Sequence, residues 1–268
     1  MHAKIYLAKR EGTEAICVKV FKPYQDADQI NCAEEEFRVS KILENHPNII
    51  KINSFQKQMP IKIDGVEQLR DFLTLDYCEN SDLFEFMSKY AKNQTDRGLA
   101  PNQGKGMLVK DLTLLKSLYL QLIDGISALH QAEYAHMDIK LENILISKEG
   151  VLKFCDFGFS MPAQNFVNKK MGTQAYMAPE IYNAFEMPCK AMPTDVFSLG
   201  VLFFMMAFGA PPFQSAEFSD GYYSYLKLRP GNTDFFRFHP HTRALYGRGQ
   251  IPVSFMNMIL NMLMADPN

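Results

Sequence analysis

Paired cysteines are missing from this chain. Its five cysteines, Cys17, Cys32, Cys78, Cys155 and Cys189, are odd in number, scattered, and never fall in a Cys-x-x-Cys spacing. That argues against a disulfide framework or a zinc site and suits a reducing compartment. A dominant charge is missing too: 28 basic against 30 acidic residues leave a formal net charge of −2. Without a global basic field, neither nucleic acid nor an anionic membrane is expected as a partner. The first residues, M-H-A-K-I-Y-L-A-K-R-E, lack the apolar core of a signal peptide, so the cytoplasm is the expected location. One uncharged stretch, Val196 to Phe213, contains Gly200 and Gly209 and runs into Pro211-Pro212. A buried core helix is expected there, since a membrane span needs about twenty apolar residues. Neither an internal repeat nor a low-complexity tract is present.

What remains is the composition of an ordinary globular protein, 47% hydrophobic and 22% charged over 268 residues. That length suffices for one large domain or two modest ones with real cores. Apolar alternation predicts strands at 4–8, 15–21, 48–55 and 71–77, the first two joined by a polar connection with Gly12. A helix is predicted over 33–45, stopped by Asn45 and Pro47. Strand–strand–helix–strand–strand order makes a small, mostly antiparallel sheet with one helix. After Asp76–Ser81 the period becomes helical, at 83–90 and again at 112–130. In the second helix Leu115, Leu118, Leu122, Ile126 and Leu129 recur at three- and four-residue spacing and mark a core face. The polar, glycine-bearing segment 91–106 between them is predicted to be a loop. A hinge near Asp76–Ser81 would leave a cleft between two lobes.

The residues with most to say about chemistry are H-M-D-I-K-L-E-N at 136–143, followed by D-F-G at 156–158. Asp138 can accept the proton of a hydroxyl, and Lys140 can hold a γ-phosphate. Asn143 and Asp156 offer hard oxygen ligands to Mg²⁺. Two such motifs in order, each flanked by apolar runs, rarely arise by accident. The chain resembles the catalytic domain of a eukaryotic-type serine/threonine protein kinase. Within that family it is most similar to the calcium/calmodulin-dependent-like kinases, through H-P-N-I-I, L-E-N-I-L and G-A-P-P-F. The resemblance implies an α+β, bilobal fold in a single domain, 1–268. Its N-lobe (1–78) would be a small antiparallel sheet with one main helix, and its C-lobe (79–268) larger and mainly helical. It further implies ATP and Mg²⁺ as cofactors and protein serine or threonine as substrate.

The same resemblance places further residues. I-C-V-K-V is similar to the family's V-A-I-K, making Lys19 the lysine on the α- and β-phosphates. Its glutamate partner is best matched by Glu36, with Glu35 a close competitor. Ile5 corresponds to the valine after the glycine-rich loop, and Cys17 and Leu145 would sandwich adenine. Leu75 stands at the gatekeeper position, and the backbone of Asp76, Tyr77 and Cys78 would meet the adenine edge. Asp82 falls where an acid contacts the ribose, although a helix N-cap is an equally natural reading. His136 is implied as a packing residue above Phe157, in a hydrophobic column with Ile52 and with Ser40, or with Val39 if Glu35 is the partner. Thr173 would bridge Asp138 and Lys140, supporting the serine/threonine type. Asp195 would anchor the catalytic-loop backbone, and Phe197 replaces the family's tryptophan in a chain that has none. Glu142 matches an acid that receives a basic residue three positions before the target, implying a moderate arginine preference there.

Three departures from the family pattern stand beside these matches. Ala3 takes the third glycine position of the phosphate-covering loop, and the first two positions would precede Met1. The chain stops at L-M-A-D-P-N, short of the arginine expected to meet Glu180, so both ends are expected to be cut. Met137 replaces the arginine of H-R-D. The missing glycines and Met137 motivate an alternative reading, a catalytically impaired pseudokinase acting as a scaffold. Against it, Lys19, Asp138, Asn143 and Asp156 are all retained.

Overall fold

The computed structural model describes residues 3–9, 12, 15–23, 27–63, 65–96, 109 and 111–264. Its first part is a four-stranded antiparallel sheet of order β1-β2-β4-β3, from β1 (Ala3–Ala8), β2 (Ile16–Phe21), β3 (Ile52–Ile63) and β4 (Val66–Asp76). Helix α1 (Ala27–Ile42) follows β2. Cross-strand register pairs Ile5 with Lys19 and Lys19 with Leu73, then Leu7 with Cys17 and Cys17 with Leu75. Because side chains alternate along a strand, these two rows share one face of the sheet.

Several boundaries differ from expectation. Helix α1 begins at Ala27, not 33, and ends at Ile42, not Asn45. The β3–β4 hairpin runs to Ile63 and Val66, well beyond the predicted 48–55 and 71–77. It lacks clean alternation because Pro60 sits in the edge strand and a bulge interrupts the register between Gln56 and Met59. Buried Asp71 stabilises that bulge, its Oδ1 accepting from the backbone N–H of Gln58 (2.9 Å) and its side-chain amide (2.8 Å).

The second part is mainly helical. Helix α2 (Leu83–Asp96) extends into the segment expected to be a loop, whose remainder, 97–106, lies outside the described residues. Helix α3 (Leu112–Gln131) starts at Asp111, whose carboxylate accepts from the N–H groups of Thr113 and Leu114. All five leucine and isoleucine positions of its predicted core face are buried. Short strands then carry the loops: β5 (Tyr134–Ala135), β6 (Ile144–Ile146), β7 (Leu152–Phe154), β8 (Met161–Pro162) and β9 (Phe166–Val167). A Cβ on Gly125 of α3 would lie 2.8 Å from the Phe154 ring, so only glycine lets helix and strand approach this closely.

After α4 (Pro179–Tyr182) and β10 (Cys189–Lys190) comes α5 (Ala191–Phe208). It is long and apolar enough to cross a bilayer by composition, yet most of it is buried inside the helical part. Phe197, Phe203, Phe204 and Phe208 fill the core, and Tyr119 stacks on Phe203 with centroids 3.9 Å apart. Helices α6 (Gly221–Leu228), α7 (Phe235–Phe238), α8 (Arg243–Gly247) and α9 (Val253–Met262) complete the described chain. Residues 265–268 lie outside that description.

His239, just after α7, is 3% exposed and sits against Phe204, Tyr222 and Phe235, with Nε2 3.2 Å from the Pro211 carbonyl. Burial and neighbouring His241 push its pKa down to about 4, against the opposing pull of the Pro211 carbonyl and Asp220. The folded protein therefore holds it neutral, while the unfolded chain protonates it below its ordinary value of 6.5. The associated stability is present above pH 6.5 and is lost as pH falls toward 4. Between pH 7 and 5 the loss should be about 2 kcal/mol. Urea unfolding of wild type and His239→Gln at both pH values tests this. An undiminished pH dependence in the variant would exclude His239 as its source.

Candidate active site

The site starts on the sheet face that carries Lys19. Its ammonium lies 2.8 Å from both carboxylate oxygens of Glu36 and 2.7 Å from Oδ1 of Asp156. Glu36 is fully buried, while Glu35, partly buried, pairs with exposed Arg38 at 3.1 Å. Glu36, not Glu35, is thus the residue placed on Lys19. Burial alone would discharge Lys19, but the two carboxylates outweigh it and raise its pKa. Burial likewise raises the pKa of Glu36, with Lys19 opposing. Burial also works against the charge of Asp156, yet contact with Lys19 holds its carboxyl below the ordinary range. Asp156 has a left-handed backbone (φ 63°), a strained setting for a non-glycine residue that recurs at functional sites.

The catalytic loop, between β5 and β6, is held from beneath by α5. Buried Asp195 accepts from the backbone N–H of His136 (2.7 Å) and Met137 (2.9 Å), and His130 Nε2 lies 2.9 Å from the same carboxylate. With Met137 in a left-handed turn (φ 66°), the chain then presents Asp138. Asp138 Oδ1 accepts from the Thr173 hydroxyl at 2.7 Å, and Oδ2 from Lys140 Nζ (2.7 Å) and Asn143 Nδ2 (3.0 Å). Lys140 also donates to Thr173 Oγ1 at 3.0 Å, which closes the bridge. The amide nitrogen of Asn143 is committed to Asp138, leaving its side-chain oxygen as the end able to meet a cation.

His136 is a structural residue. Its Nδ1 accepts from the N–H of Asp138 (3.3 Å), its Nε2 lies 3.2 Å from the Cys155 carbonyl, and its ring packs on Phe157 at 5.2 Å. Ile52, Phe157 and His136 are fully buried, and so is Ser40. The Ser40 hydroxyl donates to the Ile50 carbonyl (2.8 Å) and accepts from the N–H of Ile52 (3.0 Å). A polar residue is tolerated in this column because both hydrogen-bonding roles are satisfied, tying α1 to the start of β3.

The residues expected around adenine are placed by the strand register. Cys17 stands opposite Leu75, Ile5 opposite Lys19, and Leu145 on β6 is half-buried. Ile5 is 62% exposed. The N–H of Asp76 donates to the Lys51 carbonyl (3.1 Å), and its carboxylate accepts from Asn53. Burial pushes the Cys78 thiol up to about 11 and, together with the neighbouring Asp156 charge, raises that of Cys155 as well. Asp82 Oδ1 accepts from the N–H of Glu85 at 2.8 Å, so this carboxylate caps α2. The helix-cap reading is the contact seen.

Sequence reasoning missed His130, whose contact with Asp195 joins the end of α3 to the catalytic loop. The available signal was a polar residue on the last turn of an apolar helix. It also missed how Met137, in the arginine's place, is accommodated. Met137 is buried, and its sulfur lies 3.4 Å from Thr194 Oγ1, whose hydroxyl donates to the Ala191 carbonyl at 2.7 Å. The segment ahead of Thr173 passes directly over Met137: a Cβ at Gly172 (φ 91°) would lie 2.8 Å from the Met137 carbonyl oxygen. Upstream, Phe166 and Val167 pair with Lys190 and Cys189.

Among the described residues no group of three or more His, Cys, Asp or Glu is arranged to hold a metal. Asn143 and Asp156 nevertheless fit Mg²⁺, which usually takes one or two protein oxygens and completes its shell with phosphates and water.

A lysine between two carboxylates and a third carboxylate bridged by lysine and threonine thus lie where the sheet part meets the helical part. Residues 2–268 match the model of the protein kinase domain, and the chain belongs to that family. It is similar to the human SNF-related serine/threonine-protein kinase, 31% identical over 223 residues, 81% of this chain and 26% of that protein. Serine/threonine-protein kinase Aurora-1 of Arabidopsis thaliana is 29% identical over 221 residues, 81% of this chain and 65% of that protein. Neither inactivation nor afterpotential protein C of Drosophila melanogaster is 26% identical over 218 residues, 80% and 13% respectively. The chain thus spans about a quarter of the SNF-related protein.

Proposed function

We propose that this chain transfers the γ-phosphate of Mg-ATP to serine and threonine hydroxyls of protein substrates. The observation that carries this reading is the joined polar set: Asp138, Lys140, Asn143 and Thr173 mutually bonded, with Lys19 held by Glu36 and Asp156. In it Asp138 takes the proton of the incoming hydroxyl and Lys140 steadies the γ-phosphate. Lys19 binds the α- and β-phosphates, and Asn143 and Asp156 hold Mg²⁺. The metal, when bound, neutralises charge developing on the phosphates. Ile5, Cys17, Leu75, Leu145 and the backbone of Asp76 and Cys78 enclose adenine. Asp82 can reach the ribose only with the carboxylate oxygen not used to cap α2.

The rest of the reading is similarly proposed. One kinase domain covers 1–268, its lobes dividing after Cys78. Glu142, exposed on the catalytic loop, favours arginine three residues before the target. The nearer kinship is to calcium/calmodulin-dependent-like kinases, the location is the cytoplasm, and neither nucleic acid nor membrane is a partner. The test is transfer of labelled γ-phosphate to a generic basic protein, compared with Asp138→Asn. Wild-type transfer no greater than the variant's would favour a catalytically impaired scaffold.

Activity is further expected without phosphorylation of the activation segment. Kinases switched there neutralise a cationic cluster with a loop phosphate. Here Met137 contributes no cation and is packed on Thr194, while the segment pairs through β9–β10 and passes close over the Met137 carbonyl at Gly172. Of its hydroxyls, Thr173 is bonded to Asp138, Ser160 is buried beside D-F-G, and Tyr176 is buried. Phosphatase treatment, with activity and phosphosites followed together, should leave activity unchanged. A large loss tracking one phosphate between Phe157 and Pro179 would overturn this.

A further inference from the structure

Thr173 is bonded to two catalytic side chains, and Gly172 permits the chain just before it to lie on the Met137 carbonyl. The residues immediately upstream are therefore fixed at the rim of the site. Two of them are the exposed lysines 169 and 170. The Lys170 ammonium lies 4.3 Å from the centroid of the Tyr182 ring. That tyrosine is itself fixed, its hydroxyl donating to the Gln174 carbonyl at 3.2 Å. A cation–π contact at an exposed site is weak and leaves the charge intact, so it orients the ammonium without neutralising it. No ion pair to Lys170 forms among the described residues. The acid that acts on Tyr182 is Glu217, which helps raise its hydroxyl pKa behind the larger effect of burial. Lys190, exposed and opposite Phe166 in the β9–β10 pair, adds positive charge to the same segment.

We infer that Lys170 is a specificity-determining residue that receives an acidic side chain, carboxylate or phosphate, on the C-terminal side of the phosphorylated hydroxyl. This rests on the kinase reading of the same site. Three residue steps lead from Lys170 to Thr173, at most about 10 Å, which is the span of about three residues of an extended substrate. The upstream side of the substrate is the one assigned to Glu142, where a cation is favoured. Lys170 then gives the peptide groove an opposite polarity downstream. A serine peptide with arginine before the target and an acid within three residues after it is the substrate class this predicts.

The experiment uses peptides of one neutral frame around a single serine, with Asp, phosphoserine, Leu or Lys placed one, two or three residues after it. For the wild type, kcat/KM should be about fivefold higher with the acid than with leucine at the best position, as suits a partly exposed charge pair. The gain should lie in KM and shrink at high salt. Lys170→Met should abolish the gain, Lys170→Glu should reverse it toward lysine, and Glu217→Gln should not weaken it. Transfer to the leucine peptide without any acid gain, or a gain equally large in Lys170→Met, overturns the inference while leaving the kinase reading intact. If no peptide is phosphorylated, the kinase reading fails. Fluorescence anisotropy of the labelled peptides then carries the comparison alone, and equal affinity of acid and leucine peptides overturns the role of Lys170.

Discussion

With Asp138 replaced by asparagine, turnover is expected to fall by about two to four orders of magnitude while ATP affinity hardly changes. Asparagine keeps the size and part of the hydrogen bonding to Thr173, Lys140 and Asn143 but cannot take a proton at neutral pH. Nothing in its contacts reaches the Lys19 end of the cleft, where Glu36 and Asp156 sit. Asp156→Ala should behave differently. It removes both the carboxylate assigned to Mg²⁺ and the second counter-charge of Lys19, so transfer should vanish and Mg-ATP should bind more weakly. Titration calorimetry with Mg-ATP alongside single-turnover rates separates the two variants. Equal loss of nucleotide affinity in both would defeat this division of roles.

Removal of the Asp195 carboxylate should cost nearly as much activity and much more stability. This side chain is buried in α5 and accepts from two backbone N–H groups of the catalytic loop while meeting His130. In Asp195→Ala those amides lose their partner in a site closed to water, at about 1–3 kcal/mol each. A total of about 3–5 kcal/mol is therefore expected, in line with breaking a buried charged network. Met137 also loses the bond that holds its left-handed turn, and with it the aim of Asp138. Urea unfolding should show a lower midpoint at unchanged slope, with kcat falling in parallel. Asp195→Asn keeps one acceptor oxygen and should fall between. Wild-type stability in the alanine variant would show that the loop holds its own shape.

Much of this site is legible in the one-dimensional chain because its chemistry is local. Asp138, Lys140 and Asn143 occupy one short loop, so their identity and spacing place them together before any fold is known. The core face of α3 is legible for the same reason, since helical periodicity is a local property and all five expected positions are buried. The β3–β4 hairpin was only half legible. Its outer part is stabilised by the bulge at Gln58 and by Asp71, and alternation does not encode such a device.

Other questions were open in the sequence because their answers lie between distant segments. Three consecutive acids at 34–36 are equivalent as letters. Glu36 meets Lys19, 17 residues away, because its position on α1 is fully buried, while partly buried Glu35 pairs with Arg38. Ser40 reads as a polar flaw in an apolar column until the Ile50 carbonyl and the Ile52 N–H are seen on either side of its hydroxyl. Asp82 as a cap, His130 on Asp195, and Met137 on Thr194 were settled the same way. The sequence by itself determined the grouping of Asp138, Lys140 and Asn143 in one loop, the helical core face and the membership in the kinase family, because each is written in short-range identity and period. Tertiary structure decided which carboxylate pairs with the lysine, which polar groups are satisfied, and where the free cation of Lys170 points. Those outcomes depend on burial and on contacts across up to 137 residues of chain, where desolvation leaves only one arrangement affordable.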